Sequence, residues 1–236
     1  MHNSIDVKPG VQTENWFLPR TESNKDPASV PFLLFAPSDY QSTQKRPLLL
    51  FLHGYGECGE GDFGVLKKHG PPKIVQSNSD FPFVTVSPQC APCDETIEDI
   101  IENWKANTLL QLVDHVAQNM AIDTSRLYVT GLSMGGFGAW RLVASAPEKF
   151  AALLPICSGG NIDWADQIAT VPTWSFHGAL DEIVGLEKYG KPMVDALQMA
   201  GGDVKLTIYP QVGHDSWTRT YEDPEIYDWL LRQRKH

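Results

Sequence analysis

Three observations predict an α/β fold with a mostly parallel central sheet and helices on both faces. Short apolar runs alternate with stretches of helical spacing along most of the chain. Runs such as Pro47-Leu-Leu-Leu-Phe-Leu52 are unbroken, as expected of strands covered on both sides. In Arg126–Ala139 a strand-forming run, Leu127–Thr130, passes through Gly131-Leu-Ser-Met-Gly135 into Phe137, Trp140 and Val143, which recur at helical spacing. A strand that turns directly into a helix at a serine has the form of a nucleophile elbow.

The elements follow in order. Residues 1–30 are polar and weakly patterned, with an edge strand expected near Asn15–Leu18. Pro31–Pro37 is an apolar run between prolines and reads as a strand; Ser38–Arg46 reads as a turn. Pro47–Leu52 runs straight into His53–Asp62, which holds four glycines in ten residues. A glycine-rich loop after a central strand lets backbone come close to a neighbour. Phe63–Val75 predicts a helix with Gly70-Pro-Pro72 as its point of interruption, and Phe83–Gln89 a buried strand. Asp94–Asn103 is acidic and reads as a loop. Leu109, Leu112, Val113 and Val116 fall at i, i+3, i+4 and i+7, a helix packing on a sheet. Ile122–Arg126 leads into the elbow strand, and the elbow helix ends near Ser145, ahead of Pro147.

Phe150–Cys157 and the run from Val171 are further strands, the second ending in a glycine turn and Asp181. Leu186–Ala200 is helical in pattern. Pro192 either kinks it or starts its main part, and Gly201-Gly202 closes it. Val204–Tyr209 alternates polar and apolar residues, as expected nearer a sheet edge, and Pro224–Arg232 is a closing helix. One domain over 1–236 is expected.

Composition narrows the function classes. Nineteen Lys and Arg against 29 Asp and Glu give a net charge of −10, which argues against nucleic acid and anionic membranes as partners. No partner chain is indicated. No stretch of about 18 apolar residues occurs. The first ten residues lack the apolar core of a leader, so a cytoplasmic protein is the default; a secreted chain with its leader removed reads the same way. Of the four cysteines, Cys90-Ala-Pro-Cys93 has C-x-x-C spacing but no second pair for zinc. Free thiols or one local disulfide are expected. No metal or phosphate-loop spacing appears, and no cofactor is implied.

The candidate chemistry is nucleophilic. The serine of a tight elbow sits in strained backbone, and glycines two before and two after it avoid a steric clash. The helix starting at Met134 aims free N–H groups at the site, where they can hold an oxyanion. An activated serine needs a base and a group to orient that base, in the chain order Ser, Asp or Glu, His. Asp181 and His214 follow strands in that order, just beyond their C-terminal ends, where open α/β sheets place their sites. The expected roles are Ser133 as nucleophile, His214 as base and Asp181 as its orienting acid. The N–H groups of Met134 and Tyr55 form the oxyanion hole, with Gly56 the fallback for Tyr55. Trp217 is a candidate wall of the substrate pocket. His53 and His177 precede glycines in turns and read as structural hydrogen-bonders, while His69 and His115 read as surface or packing residues. Asp215 ranks below Asp181, because a loop neighbour rarely reaches back to the adjacent ring nitrogen. Asp163 and Asp166 follow the wrong strand. Glu57, Glu60 and Asp62 in the glycine loop either are solvated or tie the loop down, with the solvated reading preferred.

With Leu52-His-Gly-Tyr-Gly-Glu57, Gly131-Leu-Ser-Met-Gly-Gly136, Phe176-His-Gly-Ala-Leu-Asp181 and Gly213-His-Asp-Ser-Trp217 in hand, the chain resembles the α/β-hydrolase superfamily over residues 30–235. It looks most like the single-domain phospholipase/carboxylesterase group and the related esterase/peptidase group. The resemblance implies the same catalytic serine, aspartate and histidine. It also implies hydrolysis of carboxylic esters, including acyl or feruloyl groups on polysaccharides. Lids in this superfamily commonly follow the strand after the elbow. Here only Ser158–Thr170 lies there, room for one short helix and no cap domain. An open site for short-acyl or polymer-borne esters is therefore expected. A serine peptidase or amidase would use the same three residues, and a non-catalytic binding protein of this fold usually lacks one of them.

Overall fold

Strands buried on both faces must lie between two cores, and the apolar runs do so. The computed structural model of the chain describes residues 5–20, 28–93 and 103–235. Among them are eight strands: β1 (Thr13–Phe17), β2 (Val30–Phe35), β3 (Arg46–Leu52), β4 (Val84–Pro88), β5 (Ile122–Leu132), β6 (Ala152–Ile156), β7 (Thr173–Gly178) and β8 (Val204–Tyr209). They form one sheet in the order β1-β2-β4-β3-β5-β6-β7-β8. The pairings β1–β2 and β2–β4 are antiparallel, and every pairing from β4 to β8 is parallel. Successive strand residues point to opposite faces. Leu48, Leu50 and Leu52 of β3 accordingly enter one core, while Leu49 and Phe51 enter the other.

The first core is closed by α3 (Ala106–Asn119), α4 (Met134–Ser145) and α6 (Lys191–Met199), the second by α7 (Trp217–Tyr221) and α8 (Pro224–Arg232). Leu109, Leu112, Val113 and Val116 are the buried face of α3, as their spacing predicts. β8 carries the expected mix of exposed and covered residues.

Several boundaries differ from the sequence pattern. The Phe63–Val75 helix is two short ones, α1 (Phe63–Leu66) and α2 (Gly70–Ile74). The break falls just before Gly70, whose φ of +60° is left-handed and whose missing Cβ would lie 2.5 Å from the Phe51 ring. Leu186–Gly190 is a π-helical turn, so Pro192 starts α6 and does not kink it. β5 begins at Ile122, five residues before its apolar run; Ile122 pairs with Arg46 despite the polar stretch between. The five-residue α7 was not expected, being too short and too rich in Thr and aromatics to show helical spacing. Between β6 and β7 lie one 3₁₀ turn and the four-residue α5 (Ala165–Ile168), as the short connection predicts. The expected loop at 94–102 lies outside the described residues.

The cysteine expectation needs correction. Cys93 pairs not with its neighbour Cys90 but with Cys58, 35 positions away, while Cys90 and Cys157 are buried free thiols. The sheet order places β4 beside β3, so the segments leaving their ends meet, which the C-x-x-C spacing does not reveal.

Two predictions follow from these contacts. Closing a loop of this length constrains the unfolded chain by roughly 4 kcal/mol. Cys58→Ser is expected to lower the denaturation free energy by about that order in urea titrations, and the denatured, unreduced native chain should titrate only two thiols. An unchanged midpoint, or four thiols, would contradict the bond. The second concerns Asp123 at the start of β5. Burial alone would raise its pKa, but bonds from the Ser125 hydroxyl and N–H and from Arg126 outweigh that and hold it at about 2. In the window between the ordinary carboxylate value of about 4 and that value, the unfolded chain binds more protons, so stability falls as pH drops. The melting temperature should decline across that window, and less steeply in Asp123→Asn; an identical decline in both would refute the assignment.

Candidate active site

Ser133 sits between β5 and α4 with φ 51° and ψ −119°, a left-handed conformation that strains any residue but glycine. The crowding expected around it is present. A Cβ on Gly131 would lie 2.3 Å from the Gly135 carbonyl oxygen, and one on Gly135 would lie 2.0 Å from the Leu52 carbonyl oxygen. The Ser133 N–H donates to the Ile156 carbonyl at 3.0 Å, pinning the turn to β6. Its side chain makes no bond to the helix it precedes.

That hydroxyl meets His214 instead. Nε2 of His214 lies 3.0 Å from Ser133 Oγ, and Nδ1 lies 2.8 Å from Oδ2 of Asp181. The loops carrying His214 and Asp181 come together because Gly178 has no side chain; a Cβ there would lie 2.1 Å from the Gly213 carbonyl oxygen. The Leu180 N–H then donates to Val212 O at 2.9 Å. Asp181 is buried, and its other oxygen accepts the N–H groups of Ile183 at 3.0 Å and Val184 at 2.8 Å. Burial would raise its pKa, but bonds from His177, His214 and Val184 and the charge on His214 overcome this and hold the carboxyl far below the usual range. His177, on β7, is fully buried; its Nε2 donates to Val184 O at 2.7 Å and lies 3.4 Å from Asp181. It is a structural hydrogen-bonder, as expected of it, but it also touches the acid, which its sequence context did not reveal. Asp215 turns away and caps α7 through Thr218.

On the other side lies the glycine loop. Tyr55 is the first residue of a 3₁₀ turn, Tyr55–Glu57, and Met134 the first of α4. N–H groups at the start of a helical turn have no acceptor within it. Four ties hold the loop. Cys90 N–H donates to His53 Nε2 at 2.9 Å, so the ring hydrogen is on Nδ1, which donates to Gly54 O at 2.6 Å. Burial pushes the His53 pKa down to about 4, keeping it neutral. The Gln89 amide donates to Glu57 O and accepts from the Gly61 N–H. The disulfide anchors Cys58. Glu57 is the fourth tie: of the two readings, the preferred solvated one gives way to the loop-tying one, for the residue is buried and Oε2 accepts the Gly54 N–H at 3.0 Å. Glu60 and Asp62 are exposed, with Asp62 capping α1.

A cavity of about 370 Å³ opens at Ser133, walled mainly by Tyr55, Leu132, Phe137, Ile183, Tyr189 and Trp217. Trp217 packs edge-on against His214, with ring centroids 5.3 Å apart, and its Nε1 donates to His69 Nδ1 at 3.3 Å. His69 and Trp217 also wall a second cavity of about 230 Å³ that holds Lys73 and Asn78. His69 packs edge-on against Trp217, as a packing residue should, but it also faces both cavities, which its helical surroundings do not predict; the break before Gly70 turns it toward them. That break, a histidine ahead of Gly-Pro-Pro, was the one available signal. Cys58, Cys90 and Cys93 bring three sulfurs within 4.8 Å of one another, but two of them are bonded together.

Residues 39–227 match the family model for phospholipase/carboxylesterase. The chain is 29% identical over 163 residues to a bifunctional acetylxylan esterase/xylanase of Neocallimastix patriciarum, covering 66% of this chain and 22% of that protein. Over 55 residues it is 44% identical to poly(3-hydroxyalkanoate) depolymerase C of Paucimonas lemoignei, 23% of this chain and 13% of that one. The crystal structure of a thermostable esterase superposes with a TM-score of 0.74 at 30% identity, covering 94% of this chain and 63% of the other. The chain thus spans less than two thirds of each of these relatives. With an eight-stranded α/β-hydrolase sheet, a strained serine at its elbow and a family match over most of its length, the chain belongs to the phospholipase/carboxylesterase family.

Proposed function

We propose that this chain is a serine esterase acting on short-acyl or polymer-borne carboxylic esters. One observation carries the reading: an unbroken hydrogen-bonded line from Asp181 through His214 to Ser133, ending at an open apolar cavity. Ser133 Oγ attacks the ester carbonyl carbon while His214 Nε2 takes its proton. The N–H groups of Met134 and Tyr55 receive the oxyanion of the tetrahedral intermediate. His214 returns the proton to the leaving alcohol, and an acyl-enzyme remains. Water, deprotonated by His214 in turn, releases the acid and restores the serine. Asp181 keeps the proton of the resting imidazole on Nδ1 and supports its positive charge; its depressed pKa keeps it ionised throughout.

The substrate class rests on the walls. The connection between β6 and β7 holds no cap, and exposed Tyr55 and Ile183 line the cavity. An apolar rim with no cap among the described residues suits a chain lying across the site, in keeping with the polymer-directed esterase and depolymerase names among its relatives. Trp217 serves as a wall of the substrate pocket. Among the described residues no helix is long and apolar enough to cross a membrane. Of the two compartments the sequence allows, the Cys58–Cys93 disulfide supports the secreted one.

The test is hydrolysis of p-nitrophenyl esters from acetate to decanoate, with methyl ferulate and a peptide anilide, by the native chain and Ser133→Ala. Turnover of short esters is expected, falling at least ~10³-fold in the alanine variant. Full activity of Ser133→Ala would overturn the mechanism, a strong preference for the longest chains would overturn the open-site reading, and turnover of the anilide alone would move the chain to the peptidases.

A further inference from the structure

We infer that Glu57 is a positioning residue for the oxyanion hole: its carboxyl oxygen closes the turn that presents the Tyr55 N–H. The inference rests on the esterase reading above. The turn from Gly54 to Glu57 is short, and its backbone closure is weak, the Glu57 N–H lying 3.4 Å from Gly54 O. The stronger closure is the side chain, with Oε2 of Glu57 3.0 Å from the Gly54 nitrogen. A 3₁₀ turn carrying one catalytic N–H between two glycines has little stiffness of its own. An N–H donor stabilises an oxyanion only when it is aimed before the charge appears.

The surroundings of the carboxyl support a positioning role over a loose surface contact. The Glu57 side chain is 9% exposed, which is costly for a carboxyl that does nothing. Its other oxygen, Oε1, lies 3.7 Å from His69 Nε2. His69 Nδ1 accepts from Trp217, so the hydrogen of the neutral ring is on Nε2 and faces Glu57. Trp217 packs on the ring of His214. A line of side chains therefore runs from the turn, across the cavity wall, to the base. Both Glu57 and His69 line the cavity that Ser133 opens into. A full negative charge beside a forming oxyanion would oppose it, so what the carboxyl offers the turn is an acceptor oxygen; burial raises its pKa. The turn needs an acceptor within reach of the Gly54 N–H, and the charge is dispensable.

That distinction sets the test. Glutamine keeps an oxygen at the same reach without the charge, aspartate keeps the charge but withdraws the oxygen, and leucine removes the acceptor. Steady-state kinetics on p-nitrophenyl acetate are expected to give Glu57→Gln a kcat within about five-fold of the native chain. In Glu57→Asp and Glu57→Leu kcat should fall on the order of 10²-fold, the scale of one lost oxyanion donor, with KM within about three-fold. Melting temperatures identify which variants are folded, and the glutamine–aspartate pair decides the matter if leucine is not tolerated. A native-like kcat in Glu57→Asp, a glutamine variant as impaired as aspartate, or losses carried by KM would each overturn the inference. Serine-dependent turnover by the native chain tests the esterase reading separately; without it, Glu57 has no oxyanion to serve and the inference falls too.

Discussion

The contact between Gly135 and the end of β3 is the constraint from which the site follows. The helix after Ser133 lies so close to the Leu52 and His53 carbonyls that no side chain fits between them. Because β3 runs directly into the glycine loop, that contact places the start of α4 beside the start of the loop. Met134 and Tyr55, separated widely in sequence, thereby border one cavity. The strained backbone at Ser133 persists because both flanks are fixed. Parallel strands hold one side, and close packing of helix on strand holds the other.

A second close approach, Gly178 against Gly213, does the same for the opposite half. The loops after β7 and β8 touch through their backbones, and this brings Asp181 within reach of His214. Charges and hydrogen bonds then refine the arrangement. Asp181 accepts two backbone N–H groups and the His214 Nδ1–H, with the His177 ring 3.4 Å away. The glycine loop, by contrast, is held by two of its own side chains, His53 and Glu57, and from outside by Cys90, Gln89 and the disulfide to Cys93.

Much of this was legible in the sequence, for identifiable reasons. Strands β3, β4 and β6 are covered on both faces, so their apolar runs are unbroken; α3 shows its one buried face directly. Ser133, Asp181 and His214 could be named because each follows a strand and glycines mark the tight turns beside them. The structure brings these three within hydrogen-bonding distance. The sequence could not choose between a solvated and a loop-tying Glu57, nor place His69 at the cavity, because a buried carboxyl and a surface one are spelled alike, and only the fold decides which neighbours they meet. The Cys58–Cys93 pairing depends on β4 lying next to β3, an adjacency that spacing along the chain does not encode. β5 was read too short because its first residues are polar while its backbone still pairs.

Two aromatic side chains, His69 and Trp217, line both cavities and are joined by one hydrogen bond. The wall that the cavities share is thus made at least in part by side chains, apart from the backbone contacts that fix the elbow. The Gly135 and Gly178 contacts that bring Ser133, Asp181 and His214 together lie in the backbone, whereas His69 and Trp217 shape the cavities with their rings. The placement of the three side chains and the shape of the space beside them therefore rest on different kinds of contact, joined where Trp217 packs on His214.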